Sequence, residues 1–349
     1  MHRTMISRSR VGRAAVTLAG AASLAVWLTM PGAAQQVPQG RLEDTPVPNV
    51  GGGDIQVLPV RENVFMVVGA GANMTVLVEP PGGAVSHLDP YLPPRLGVLL
   101  VDTGTAAANA RVVEVIRQLS KGRIAFVVNT SADPDHTGGN EGIFKAVVAS
   151  AAAPAGGNAA PGPMMFAHEN LINRLSEVDG PPEAVPTGGF YTDKQVVFNG
   201  EPIEIVHLPA AHSDGDSVVF FRRADVISAG DIFSTETFPR VEVEKGGSIQ
   251  GVIEGLNRLL DIAIPGDRVE DGTLVIPGHG RLSDYADVNE YRNMVVIIRD
   301  RVQALVEQGQ TLEQVKAARP SRDYDRRYST PGWTTDMFIE AVYQSLAKK

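Results

Sequence analysis

Residues 130–140 read TSADPDHTGGN and follow Ile124–Val128, an apolar run typical of a buried strand. This loop carries Asp133, Asp135 and His136 within four positions. In an α/β layer the loops that follow the strands converge on one edge, where polar side chains from several strands meet. The pattern predicts a site at the end of this strand, with further ligands supplied by the ends of other strands.

Other strand ends carry the same kind of side chain. Of the seven histidines, three occupy Gly-rich polar loops after predicted strands: His136, His212 and His279. A fourth loop ends the strand 226–229 at Asp231. Imidazoles combined with carboxylates are suitable ligands for Zn²⁺, and also for Fe. The other histidines are expected to be incidental or structural: His2, His87, His168 and His207.

The apolar periodicity predicts two successive groups of strands with helices. Short apolar runs predict strands over 55–60, 64–68, 74–78, 97–101, 124–128, 164–167, 203–208, 217–221, 226–229 and 273–276. Helical spacing predicts helices over 106–119, 142–150, 168–176, 251–263, 288–307, 312–318 and 335–347. This order predicts a layered α/β sandwich in two similar halves, forming a single domain over 55–349 that includes the C-terminal helices.

The order and context of these loops resemble the metallo-β-lactamase fold superfamily from about Ile55 to Leu282, including the turn at residues 102–104. The resemblance implies a four-layer αβ/βα sandwich. In that family a His-x-His-x-Asp-His loop, a later His, a Gly-Asp strand end and a late Gly-His hold up to two metal ions. Carried over, the resemblance implies one complete metal site, made of Asp135, His136, Asp231 and His279. It places His212 in the other metal site.

The first two loop histidines of the family are Ser131 and Asp133 in this chain. A serine hydroxyl is a poor zinc ligand, whereas a carboxylate at residue 133 resembles the Glu of the flavodiiron branch. A second metal site would therefore consist of Asp133 and His212, with Asp231 as a bridge. Three interpretations remain open: a one-metal enzyme, a two-metal enzyme, or a metal-poor relative that binds a ligand without catalysis.

The resemblance implies a metal-dependent hydrolase acting on an ester, lactone, thioester or amide-type bond of a small molecule, with β-lactamase activity itself not expected. Asp135 would hold the metal and orient or deprotonate the attacking water, and Asp133 would serve as a general base if it is not a ligand. Asp102 is expected to orient a metal-binding histidine. The alternative enzyme is an iron-dependent oxidoreductase of the same fold.

Residues 1–34 are typical of a Sec-type signal peptide. Four Arg precede the uncharged run Ala14–Met30, and the small residues 32–34 precede Gln35. Cleavage there predicts a periplasmic or secreted protein without stable membrane insertion; the alternative is an uncleaved anchor. Residues 35–54 are rich in Pro and Gly, which predicts a flexible arm.

Composition excludes several classes of function. The chain has no cysteine, which excludes disulfides, thiolate zinc sites and cysteine nucleophiles. The net charge is -9, and it becomes -13 without residues 1–34, which hold four Arg and no acidic residue. Nucleic acid is therefore not expected as a partner, because phosphate binding needs clustered Lys and Arg. No pattern in the sequence specifies an oligomeric state.

Overall fold

The computed structural model describes residues 55–80, 97–150 and 161–347. The predicted signal peptide (1–34), the predicted arm (35–54) and His87 lie outside the described residues. All elements below therefore refer to these three ranges.

The first sheet has seven strands in sequential order, from β1 to β7. They are β1 (Gln56–Arg61), β2 (Val64–Val68), β3 (Met74–Leu77), β4 (Val98–Val101), β5 (Ile124–Val128), β6 (Met164–His168) and β7 (Gly188–Phe190). Strands β1 to β4 pair antiparallel, whereas β4 to β7 pair parallel. The parallel strands β4 and β5 therefore end at the same edge, and the loop at residues 130–140 leaves from that edge.

The second sheet has six strands in the order β13-β12-β11-β10-β9-β8. They are β8 (Lys194–Phe198), β9 (Glu201–Leu208), β10 (Asp216–Phe221), β11 (Val226–Ser228), β12 (Leu274–Ile276) and β13 (Ser283–Asp284). Strands β11 and β12 pair parallel and the other neighbours antiparallel. The carboxyl ends of β9, β11 and β12 consequently share one edge, which carries three of the predicted ligand loops.

Helices lie on the outer faces of both sheets and in the connecting loops. They are α1 (Asn109–Leu119), α2 (Pro134–Thr137), α3 (Asn140–Ser150), α4 (Glu169–Ser176), α5 (Ile249–Ile262), α6 (Tyr285–Glu307), α7 (Leu312–Ala318), α8 (Asp325–Tyr328) and α9 (Thr335–Ala347). One core joins α1 and α3 to the first sheet, a second fills the space between the sheets, and a third joins α5, α6 and α9 to the second sheet. These layers confirm the four-layer αβ/βα sandwich.

The C-terminal helices pack onto the second sheet through one apolar face. In α6 the buried side chains include Tyr291, Val295 and Ile298, as their helical spacing predicts. In α9 Phe338 stacks on Phe238 at a ring-centroid distance of 4.6 Å. Met337, which directly precedes Phe338, is 44% exposed and does not belong to the buried face of α9.

None of the helices in the described ranges combines the length and the apolar character that crossing a membrane requires. The longest of them, α6, carries charged residues between the apolar residues of its buried face, and it packs against α5 and α9.

Candidate metal centre

The loops that carry the predicted ligands meet where the two sheets face each other. Backbone hydrogen bonds across the two sheets hold these loops in place: Ser217 N–H, in β10, donates to Thr130 O at 3.0 Å, and Asn73 N–H, between β2 and β3, donates to Gly278 O at 2.8 Å. The side chain of Asn73 also donates to Pro277 O and Gly280 O, at 2.9 and 3.0 Å. The loops of the two sheets are thus fixed against each other by main-chain bonds.

The first cluster contains all four residues of the complete site. His136 Nε2 lies 3.0 Å from Asp231 Oδ1. His279 Nε2 lies 3.3 Å from Asp135 Oδ2 and 3.4 Å from Asp231 Oδ1. Ligand atoms of Asp135, His136 and His279 all lie within 4.8 Å of one another. Two imidazole nitrogens and two carboxylates therefore converge on one point.

The spacing of these atoms fits a metal ion. Zn–N and Zn–O bonds of about 2.0–2.1 Å in tetrahedral geometry place ligand atoms about 3.3 Å apart. The contacts of 3.0, 3.3 and 3.4 Å match that spacing. His136 Nε2 is fully buried and has no hydrogen-bond partner among the described residues, despite its short contact with Asp231. Since buried polar atoms are almost always satisfied, this nitrogen fits a metal ligand.

Asp102 orients His136, as the sequence predicts. Its Oδ2 lies 2.8 Å from His136 Nδ1 and accepts from Thr130 Oγ1 at 2.6 Å, and its Oδ1 accepts from Thr130 N–H at 2.8 Å. The carboxylate fixes the imidazole proton on Nδ1, which leaves the lone pair of Nε2 for a metal. Asp102 is 1% exposed, and its backbone has a φ of 62°, so the turn after β4 holds it in an uncommon conformation.

The charges within this cluster shift each other's pKa. Burial lowers the pKa of His136, but Asp231 and Asp102 raise it well above its usual range. Burial also lowers the pKa of His279, yet its contacts with Asp135 and Asp231 raise it to about 9. Burial raises the pKa of Asp231, but His136 and His279 hold it well below its usual range. The carboxylates are thus ionised, and a divalent cation displaces the protons of the imidazoles when it binds.

A second cluster lies on the β9–β10 turn. His212 is 1% exposed, and its Nε2 is 3.7 Å from both Asp133 Oδ2 and Glu242 Oε2. Asp216 orients this imidazole, with its Oδ1 3.2 Å from His212 Nδ1. Burial lowers the pKa of His212, but Asp216 raises it to about 9. The pair Asp216–His212 thus repeats the pair Asp102–His136 of the first cluster, with a buried carboxylate on Nδ1 of the imidazole.

An ammonium group lies at this second cluster. Lys245 Nζ is 3.3 Å from Asp133 Oδ1 and 2.7 Å from Glu242 Oε2. Burial lowers the pKa of Lys245, but Glu242 and Asp133 raise it above its usual value. Ser131, which stands where the family has a histidine, is buried and accepts a hydrogen bond from Asp133 N at 3.3 Å.

The structure therefore brings the predicted site residues together in two groups. The first contains Asp135, His136, Asp231 and His279, and the second contains Asp133 and His212. Three further side chains of the second cluster were not predicted from the sequence: Asp216, Glu242 and Lys245. Asp216 lies four positions after His212 in the same polar loop, so the sequence could have indicated it as a partner of this histidine. Glu242 and Lys245 lie 30 or more positions further along the chain in a loop without a ligand pattern.

The histidines expected to be structural have that role in the structure. The rings of His168 and His207 stack at a centroid distance of 3.6 Å. Nε2 of each contacts a main-chain carbonyl, Tyr191 O for His168 and Asp214 O for His207. His168 Nδ1 also accepts from Asn170 N at the start of α4. These contacts tie β6 and β9 to the loops beside the second cluster.

The sequence model of the metallo-beta-lactamase superfamily matches residues 95–293, more than half of the chain, and the chain belongs to this superfamily. Its fold generally binds metal ions, and metal-dependent hydrolysis is common among its members. No curated protein matches the chain.

Solved structures confirm the fold. The stereoselective inverting sec-alkylsulfatase Pisa1 from Pseudomonas sp. is similar with a TM-score of 0.59 and 16% identity, over 83% of this chain and 50% of the alkylsulfatase. This chain thus spans half the length of that enzyme. The DIM-1 metallo-beta-lactamase gives a TM-score of 0.50 and 17% identity, over 70% of this chain and 98% of its own. The metallo-beta-lactamase from Pontibacter korlensis gives a TM-score of 0.50 and 15% identity, over 69% of this chain and 99% of its own.

Proposed function

We propose that this chain is a metal-dependent hydrolase that cleaves an ester, lactone, thioester or amide-type bond of a small molecule with water. The observation that carries the proposal is the convergence of four ligand-type side chains, with the fully buried Nε2 of His136 3.0 Å from Asp231 Oδ1 and making no well-aligned hydrogen bond. The cluster is closed on one side and open on the other: the side chains of His136 and Asp231 are 0% and 6% exposed, those of His279 and Asp135 32% and 35%. A catalytic metal needs such an accessible side for water and substrate.

His136, His279, Asp231 and Asp135 would hold a divalent metal ion, zinc in our proposal, and the ion would supply a lowered pKa of water, from about 15.7 to about 7, and polarisation of the bond under attack. The protein's own residues supply the geometry. Asp231 holds both imidazoles from the buried side, and Asp102 fixes the tautomer of His136. His279 and Asp135 border the accessible side.

Asp135 is the residue best placed to orient the attacking water and accept its proton. It lies at the open side of the cluster. Burial raises the pKa of Asp135, but the contacts with His279 and His136 outweigh this effect and lower the pKa below its usual value. Asp135 is therefore ionised at neutral pH. Asp133, the other carboxylate considered as a base, is engaged by Lys245 at 3.3 Å and lies 3.7 Å from His212. We therefore assign the proton-accepting role to Asp135.

The experiment is a hydrolysis assay with chromogenic carboxylic esters, lactones, thioesters, amides and sulfate esters. Sulfate esters belong in the panel because a sec-alkylsulfatase shares the fold over 83% of this chain. We expect zinc-loaded protein to hydrolyse at least one substrate, a chelator to abolish the activity, and Asp135→Ala to lose both metal and turnover. Asp179→Ala, on an exposed turn, is the matched control and should remain active. Full activity of Asp135→Ala or of chelated protein would contradict the proposal.

We further propose that the enzyme is exported and acts in the periplasm or outside the cell. The basic start, apolar run and small residues of positions 1–34 support this. Expression in a bacterium, followed by fractionation and N-terminal sequencing, is expected to give a periplasmic protein that begins at Gln35. A membrane-bound protein that still begins at Met1 would show that the segment is kept as an anchor.

A further inference from the structure

The second cluster is a place that attracts a cation. Ligand atoms of Asp133, His212 and Glu242 lie within 4.8 Å of one another. His212 is 1% exposed, and within the described ranges its Nε2 has no hydrogen-bond partner. The carboxylate of Asp133, at the N-terminus of α2, makes no capping bond to that helix. Two carboxylates and a buried imidazole nitrogen thus converge at a point outside the first cluster.

Lys245 supplies a cation at this point. Its Nζ lies 2.8 and 2.7 Å from the two carboxylate oxygens of Glu242 and 3.3 Å from Asp133 Oδ1. The ammonium is a compact point charge, and here it joins the two carboxylates in the way a metal ion would. The distances of 3.7 Å from His212 Nε2 to both carboxylates are longer than the spacing of about 3.3 Å around tetrahedral zinc.

The main chain holds this lysine beside His212. Glu242 N–H donates to His212 O at 2.9 Å, and Asp214 N–H donates to Lys245 O at 3.1 Å. A Cβ at Gly247 would lie 2.1 Å from His212 O, so the two loops approach as closely as only glycine allows. The backbone positions of Glu242 and Lys245 are thus set by the β9–β10 turn.

We propose that the ammonium of Lys245 occupies the second cation position of this fold. The chain therefore binds one divalent ion, although the ligands of the two clusters together would admit two. The ammonium contacts the carboxylate oxygens of Asp133 and Glu242 that a second ion would need, and its charge repels a cation there, so the two compete for one position. Lys245 is a positioning and specificity residue: it neutralises Asp133 and Glu242 and fixes the metal stoichiometry. The inference rests on the proposed metal centre for the first ion only.

The test counts the zinc ions bound by intact protein, using native mass spectrometry and titration of chelator-treated samples. Lys245→Met removes the charge and keeps the length of the side chain. We expect it to bind one zinc ion more than the wild type, with the affinity of this added ion raised about 100-fold or more. Lys245→Gln carries the same expectation, whereas Lys245→Arg keeps the charge and should match the wild type.

Two controls locate the added ion. Lys145→Met removes an exposed lysine of α3, whose ion pair is with Glu141 and with no residue of either cluster, and should leave the count unchanged. The double variant Lys245→Met/Glu242→Gln should lose the gained ion, because it lacks a ligand of the second cluster. Circular dichroism and thermal unfolding confirm that the variants are folded.

The gain of one ion on removal of the ammonium supports the inference. Equal counts for wild type, Lys245→Met and Lys245→Gln overturn it, as does a wild type that already binds two ions. The proposed function is tested separately, by whether the wild type holds its first ion and whether that ion is needed for hydrolysis.

Discussion

Asp102→Asn should weaken metal binding from a position that does not touch the metal. The carboxylate is buried and accepts from Thr130 N, Thr130 Oγ1 and His136 Nδ1. An asparagine replaces one oxygen with an NH₂ group. If that group faces Thr130 N–H, two donors meet. If it faces His136, the imidazole proton must move to Nε2, the atom that points at the ligand cluster.

The magnitude follows from these bonds. A buried donor left unsatisfied costs about 1–3 kcal/mol, and a hydrogen bond to a charged group contributes about 1.5–3 kcal/mol, so we expect the free energy of unfolding to fall by about 2–3 kcal/mol. Loss of a residue that orients a metal-binding histidine lowers metal affinity by about 10–100-fold. Urea unfolding of metal-free protein measures the first effect, and zinc competition with a chromogenic chelator measures the second.

Asp216→Asn is the matched control. Asp216 is equally buried and accepts from Ser213 N, Ser213 Oγ and His212 Nδ1. We expect a similar loss of stability but unchanged affinity for the single zinc ion, because His212 does not bind it. Wild-type affinity in Asp102→Asn, or an equal loss in both variants, would refute the reasoning.

Two further predictions concern pH and backbone packing. The pKa of His279 is raised from 6.5 to about 9, so its charged contacts stabilise metal-free protein fully below about pH 6.5 and are lost as the pH rises through 9. The Tm of chelated protein should therefore fall across that interval more than the Tm of zinc-loaded protein; parallel curves would contradict this. In Gly278→Ala the new Cβ would lie 2.6 Å from Gly230 O and 2.9 Å from Asp231 Oδ1, which should cost about 1–3 kcal/mol and weaken zinc binding. Gly332→Ala, whose Cβ meets nothing within 4 Å, should be neutral in both thermal unfolding and zinc binding.

Most of the fold could be predicted from the sequence because its strands and helices carry strong apolar patterns. The runs at 64–68 and 124–128 coincide with β2 and β5, and the helix predicted over 312–318 coincides with α7. Three strands had no predicted range: β8, and the two very short strands β7, which has three residues including Gly188 and Gly189, and β13, which has two. Such short segments become strands only because a neighbouring strand offers hydrogen bonds, and composition does not record that.

The first cluster could be predicted, whereas half of the second could not. The four residues of the first cluster each follow a strand, so their convergence follows from sheet geometry. Glu242 and Lys245 reach His212 through backbone bonds of their own loop, Glu242 N–H to His212 O and Asp214 N–H to Lys245 O. Nothing in the local sequence encodes those long-range contacts. This matters for function, because we propose that Lys245, which could not be predicted, sets the number of bound metal ions.

Anomalous diffraction at the zinc edge, from crystals of zinc-loaded protein, tests the central claim most directly. The account predicts one peak at about 2.0–2.2 Å from His136 Nε2, His279 Nε2 and carboxylate oxygens of Asp135 and Asp231. It predicts Lys245 Nζ, and no peak, between Asp133 and Glu242. A zinc peak at the second cluster, or none at the first, would contradict the account.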